Sequence, residues 1–316
     1  MIAITLALEL LLMTLLGVFI QKMKFVGPNF ADELTSMIMK VLFPMLVFYS
    51  IKSAPSFTAE TLTTCLLVMV IGTAVMFISL GIGQIFYLRS GKDGMGRILR
   101  YAVTFTHFTF MGMPVIDVLF GSMGTLYYVF FMVPVRIFYY ALPQPLMTPP
   151  ELKTKRSLGA TIKGVALNPS LIAVALGLLF WITGWQLPTV IDYVVKQCYS
   201  ICSPLGLILC GLILGKYDFK RLISVRYIKA PILRLIVMPA IFLGLTRLLL
   251  LTNIDPIIPN MIVIYAALPT ASLLPAYALQ YDPDPENQFT AAGTCVISTL
   301  FSTVTIPLWH LLLQAL

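Results

Sequence analysis

The chain has 316 residues, 59% of them hydrophobic and 11% charged, with a mean hydropathy of +0.94. Soluble domains carry about 25% charged residues, and the deficit here runs through the whole chain, which excludes a soluble domain on a single anchor and points to a polytopic membrane protein. The net charge of +8 does not imply nucleic-acid binding, because no segment is long and polar enough to form a basic solvated domain.

Apolar runs of spanning length fall at about 2–20, 31–51, 61–88, 98–120, 123–142, 168–184, 189–214, 228–250, 257–280 and 287–315, given that about 20 helical residues cross the hydrocarbon core. The expected fold class is therefore all-α and polytopic, with ten transmembrane helices. The first run has no basic n-region, holds Glu9, and has no small-x-small site before Gln21. It reads as a retained span, not a cleaved leader. Lys22 and Lys24; Arg89, Lys92, Arg97 and Arg100; Lys153, Lys155, Arg156 and Lys163; and Lys216, Lys220, Arg221, Arg226 and Lys229 all fall in odd-numbered loops, against Lys52 alone in the even-numbered ones. Fifteen against one places the odd loops in the cytoplasm and both termini outside.

The halves echo each other. Pro28, Asp32 and Pro44 in and before the second run recur as Pro188, Asp192 and Pro204 around the seventh, each shifted by 160 residues. Pro114 and Pro134 in runs four and five correspond to Pro269 and Pro307 in runs nine and ten. Five spans per half is an odd number, so the second half crosses in the opposite sense, giving an inverted repeat of the kind found in transporters. The expected organisation is a first repeat at 1–142, a cytoplasmic linker at 143–167 and a second repeat at 168–316. The Pro-rich start of that linker, PQPLMTPPELKTKRS, is not expected to form a helix interior.

Runs four and nine carry the polar interruptions. HFTFMGMPVID, residues 107–117, places His107, Thr109, Gly112, Met113, Pro114 and Asp117 mid-span, and LPTAS places Leu268, Pro269, Thr270 and Ser272 in the equivalent run. Proline removes its own N–H and displaces the carbonyl four residues back, and the preceding residue is pushed out of helical geometry. Unwinding at Gly112–Pro114 and Leu268–Pro269 would present half-helix N-termini suited to an anion, and half-helix C-termini whose carbonyls favour a cation or a protonated group. His107 is a candidate for proton coupling or for binding a carboxylate. Asp117 suits a helix cap or an ion site. Arg136, two residues after Pro134, is a candidate for a substrate contact or core ion pair, whereas Arg234 and Arg247 suit snorkelling from the ends of run eight. Lys196, four residues after Asp192, fits a helix ion pair. In DPDPEN, Asp284 fits an N-cap with Pro285 at the first helical position. The five cysteines, Cys65, Cys198, Cys202, Cys210 and Cys295, lack a CxxC or Cys/His ligand set and read as packing residues, so no metal or cofactor is expected.

MGMPVIDVLFGSMG (111–124), NPSLIAVALGLLFWITGWQLP (168–188), ALPTASLLPAYALQYD and STLFSTVTIPLW (298–309) resemble segments of the auxin efflux carrier family, which includes bacterial carriers described for malate or malonate. The resemblance implies ten helices in two inverted five-helix repeats, similar to sodium/bile-acid symporters, with broken helices 4 and 9 crossing at the substrate site. It also implies a dimeric scaffold of helices 1, 2, 6 and 7, against which helices 3–5 and 8–10 move as an elevator. The family has asparagine where this chain has His107, and another where it has Leu273, so auxin itself is not the expected substrate.

The function expected is a secondary carrier of a small organic anion, a carboxylate, in the bacterial cytoplasmic membrane. Its partners would be the lipid bilayer, a second copy of the chain, and protons or a cation as coupling ion, with no nucleic acid. The alternative is an ion- or solute-conducting channel, which needs a continuous polar path, whereas the polar residues cluster at two breaks. No HExxH, GxSxG or paired mid-membrane aspartates occur, so an enzyme is not expected.

Overall fold

Long stretches of leucine, isoleucine, valine and phenylalanine can satisfy their backbone in an apolar medium only by coiling into helices. The computed structural model, described for residues 2–54, 58–90, 93–152, 169–216, 225–249 and 254–316, is helical throughout. Among these residues it contains no strand, only an isolated β-bridge between Thr106 and Thr270.

In chain order α1 is Ile2–Lys22 and α2 runs through Phe30–Met37, a π turn at Ile38–Leu42 and Phe43–Lys52. Next come α3 (Ala59–Arg89) and α4 (Gly94–Thr104). A second π turn at Phe108–Gly112 leads into α5, Met113–Ala141, in which two helices meet at a kink at Gly121 (φ +62°, ψ −157°). After the short α6 (Pro143–Met147) lie α7 (Pro169–Thr183) and α8 (Thr189–Gly215). Helix α9 runs through Val225–Ile232, a π turn at Leu233–Val237 and Met238–Leu249. The last three are α10 (Ile257–Ala267), α11 (Leu274–Tyr281) and α12 (Pro285–Ala315). Among the described residues, six stretches are long and apolar enough to cross a membrane: Phe30–Lys52, Ala59–Arg89, Met113–Tyr139, Thr189–Ile213, Ile228–Arg247 and Pro285–Ala315. This is the make-up of a polytopic membrane protein.

The three π turns among the described residues have one cause. Each closes two residues before a proline: Pro44, Pro114 and Pro239. Proline clashes with the carbonyl four residues back. Widening the preceding turn, so that Phe43, Met113 and Met238 donate to the carbonyls of Ile38, Phe108 and Leu233, moves that carbonyl aside without breaking the helix. In α9 the displaced carbonyl is Leu235 O, which accepts a hydrogen bond from the Trp309 indole at 2.8 Å.

PQPLM is a short helix, because Pro143 and Pro145 both fall in its first turn, where a missing N–H leaves nothing unpaired. Arg100 donates to the Leu146 carbonyl and ties this helix to α4. Residues 153–167 of the expected linker lie outside the described residues. The DPDPEN expectation holds: Asp284 accepts from Glu286 N at 2.9 Å with Pro285 at the start of α12.

Helix α1 lies along α8, and α2 along α7 and α8. These contacts are reciprocal in sequence. A Cβ on Gly17 would sit 2.8 Å from the Gly211 Cα, and one on Gly177 would sit 3.0 Å from the Ile51 Cβ. Both members of the first pair are offset by 160 residues from members of the second. The ends of α2 and α8 are joined by two ion pairs, Lys52 with Asp192 and Lys216 with Asp32 at 3.3 Å. Asp192 therefore bonds across to α2 and not along its own helix to Lys196, which is exposed. The antiparallel neighbour brings a lysine closer than one helical turn does.

Helices α3, α4 and α5 pack together, as do α9, α10 and α12. At one end Arg97 of α4 and Asp282 after α11 form a buried ion pair at 2.7 Å, with Asn287 also donating to the carboxylate.

Both kinds of contact can be tested by thermal stability. Gly17→Leu, which drives a side chain into the α8 backbone, costs about 1–3 kcal/mol. It lowers the thermal midpoint of the detergent-solubilised protein, whereas Gly81→Ala, with nothing near its Cβ, leaves it unchanged. Asp282→Ala strands the Arg97 guanidinium and costs about 3–5 kcal/mol in the same measurement, and Arg97→Met/Asp282→Leu recovers most of that loss.

Candidate functional site

Helix α4 ends at Thr104 because the chain turns extended at Phe105 (φ −111°, ψ 131°). Helix α10 ends at Ala267 because Pro269 forces Leu268 out of helical space (φ −64°, ψ 146°), as its sequence predicts. The two extended segments meet. His107 N donates to Pro269 O at 2.8 Å, and Ala271 N donates to Phe105 O at 3.1 Å, flanking the Thr106–Thr270 bridge. Each break thus satisfies polar backbone groups that the other leaves open.

The first break is not where the sequence places it. Gly112 (φ −64°, ψ −46°) and Met113 (φ −62°, ψ −50°) are helical, and Pro114 sits in the first turn of α5. The interruption lies at Phe105–His107, because the π turn absorbs the proline. Gly112 has a packing role instead: a Cβ there would collide with the Tyr128 hydroxyl and lie 2.7 Å from Leu268 Cδ1. Tyr128 donates to the Phe108 carbonyl at 3.1 Å.

Arg234, in the π turn of α9, has no exposed surface. Its guanidinium donates to Val103 O at 2.6 Å, Leu268 O at 3.1 Å and Tyr265 O at 3.2 Å. The first carbonyl belongs to the end of α4 and the other two to the end of α10. The snorkelling expected of Arg234 is therefore overturned: its π turn faces the crossing, and the carbonyls there replace water around the charge. Nothing in the local sequence marks it, since the carbonyls that hold it come from two distant segments.

The half-helices that restart after the breaks face a common space. Thr106, His107, Phe108 and Thr109 from the first break, and Ser272 and Leu273 from the second, line a cavity of about 50 Å³ closed by Thr35, Met39 and Tyr139. Ser272 and Leu273 also border a vestibule of about 500 Å³, lined by Asp32, Thr35, Lys216, Pro275, Gln288 and Phe289 among others. Of the residues singled out in the sequence, His107, Thr109 and Ser272 meet at this cavity. Leu268, Pro269 and Thr270 form the crossing itself. Met113 and Pro114 are buried in the first turn of α5 and line neither the cavity nor the vestibule.

Three polar residues have found other partners. The His107 ring, 4% exposed, has Nε2 3.2 Å from the Cys210 thiol of α8. Asp117 does not cap a helix: it accepts from Thr125 at 2.9 Å, across the Gly121 bend (φ +62°), and from Tyr199 of α8 at 3.1 Å. Arg136 is buried with its guanidinium over the Phe43 ring at 4.7 Å, and the Phe108 ring at the crossing is 5.9 Å away. Sequence reasoning missed Thr106, Tyr139 and Cys210, because each is an ordinary residue type within an apolar run, and it misplaced Arg234.

Residues 2–310 match the family described as "Membrane transport protein". The chain is 26% identical over 313 residues to an "Uncharacterized transporter" of Methanothermobacter thermautotrophicus, a match that covers 97% of each chain. A match across nearly the whole length, on a helical protein with several membrane-length apolar helices, makes this chain an integral membrane protein of the membrane transport protein family, that of the auxin efflux carriers.

Proposed function

We propose that the protein is a secondary carrier of a small organic anion, a carboxylate, that binds at the crossing of the two interrupted helices. The observation that carries this reading is the cavity lined from both sides by restarting half-helices. The first N–H groups of a helix have no intrahelical acceptor and carry partial positive charge, so two such ends on one cavity favour an anion. The carbonyl ends are turned away to Arg234.

The architecture proposed is ten spans in two inverted repeats, 1–142 and 168–316, joined by the linker at 143–167. The reciprocal glycine contacts and ion pairs support it, since a repeat related by a two-fold axis in the membrane plane must use each contact twice. In this reading α1, α2, α7 and α8 are the scaffold, and a homodimer would form through it. The remaining helices move past it as an elevator. His107–Cys210 and Asp117–Tyr199 are contacts between the two parts. In this reading the membrane is a bacterial cytoplasmic membrane, and the excess of Lys and Arg in odd-numbered loops favours a vestibule on the cytoplasmic side with the termini outside.

In proteoliposomes the wild type takes up at least one labelled mono- or dicarboxylate from a broad panel. Ser272→Phe, which fills the passage between vestibule and cavity, lowers that uptake by roughly tenfold or more while the protein remains monodisperse. No movement of any anion in the panel, or normal uptake by the variant, removes the reading. Currents far above carrier turnover in planar bilayers decide for a channel instead.

A further inference from the structure

A pair of half-helix C-termini in a membrane is an electrostatic problem. The ends of α4 and α10 both carry partial negative charge and both end inside the protein. Left alone, their carbonyls would call for a cation, and in a carrier a mobile cation there becomes a coupling ion. Here the carbonyls of Val103, Tyr265 and Leu268 are already occupied by one guanidinium. Three of its nitrogens, Nε, Nη1 and Nη2, each reach a different carbonyl, which matches the planar fork of arginine and not the point charge of lysine. None of the ion pairs among the described residues involves Arg234. The charge is therefore balanced by the carbonyl dipoles and not by a carboxylate, as it would be for a bound inorganic cation.

We infer that Arg234 is a resident cation: a positioning residue that fills the carbonyl cage of the crossing permanently, so that the crossing takes up no inorganic cation and transport proceeds without one. This rests on the carrier reading and deepens it. A covalently held cation travels with the crossing in both directions, so it fixes the half-helices in their anion-binding geometry whether or not substrate is present. The net positive charge stays behind the cavity. A bound carboxylate is thus opposed by two half-helix N-termini at the cavity and a full charge behind them, with no ion to be released on either side.

The test uses the full chain. In proteoliposomes, wild-type uptake of a carboxylate that it moves is the same when sodium is replaced by potassium or choline. Arg234→Ala loses roughly tenfold or more of that uptake, since it removes charge-assisted hydrogen bonds to carbonyls of both half-helices. Guanidinium chloride at non-denaturing concentration restores part of the uptake and raises the thermal midpoint of the variant, but not that of the wild type. Arg234→Lys keeps the charge, folds, and transports more slowly with no cation requirement. Wild-type uptake that needs sodium, or Arg234→Ala uptake at the wild-type rate, overturns the inference, as does a purified Arg234→Ala that guanidinium leaves unaffected. Where Arg234→Ala does not fold, the wild-type cation exchange and Arg234→Lys decide alone. If the wild type moves no anion in any buffer, the carrier reading has failed separately. The wild-type thermal midpoint in the three salts then still decides: a sodium-specific rise overturns the resident cation, and equal midpoints support it.

Discussion

The backbone pairing between Phe105–His107 and Pro269–Ala271 is the constraint on which the rest of the structure depends. In an apolar interior an unpaired N–H or carbonyl costs several kcal/mol, so neither α4 nor α10 can stop mid-span unless the other stops beside it. His107 N to Pro269 O and Ala271 N to Phe105 O make each interruption a condition of the other. The polar groups left over are divided by polarity. The carbonyl ends go to Arg234, and the cavity is lined by His107, Thr109 and Ser272, where the half-helices restart.

Proline was legible as a marker of interruption and misleading as to its place. In LPTAS the proline acts on the residue before it, as sterics dictate, and Leu268 is extended. In MGMP the same chemistry is absorbed by a π turn, and the helix stays whole through Pro114. The two prolines differ in their surroundings. Pro114 has a full turn of helix behind it that can widen, whereas Pro269 lies where the chain is already pairing with Phe105 and His107. A single-sequence reading sees two prolines and cannot see which of them has an extended partner beside it. Pro44 and Pro239 also sit just after π turns, so the absorbed proline recurs in this chain.

The helical class, the interruption in each half and the Asp284 cap could be read from the chain because each is a local or periodic property. So could His107, Thr109 and Ser272, which are polar residues in apolar runs. Arg234 and Asp192 could not. Their neighbours in sequence suggested snorkelling and a pairing with Lys196, and both suggestions fail for the same reason: a long side chain takes the partner nearest in space. For Arg234 that partner is three carbonyls from two other helices, and for Asp192 it is Lys52 on α2.

The two ion pairs that join α2 to α8 differ in a way that bears on how the molecule would work. Lys52 and Asp192 are 10% and 32% exposed, while Lys216 and Asp32, which line the vestibule, are 33% and 78% exposed. The helices, the residue types and the topology of the pairs are equivalent, so the difference comes from what covers them. On the Lys52 side the contact of Asp117 with Tyr199 closes α5 against α8. On the Lys216 side the vestibule stands between α2, α8 and the α11–α12 segment. Under the carrier reading, one end of the same helix pair is shut and the other is open to water. A symmetric scaffold holding an asymmetric cover is what alternating access requires. Moving the cover would exchange the environments of the two pairs without rearranging α2 or α8.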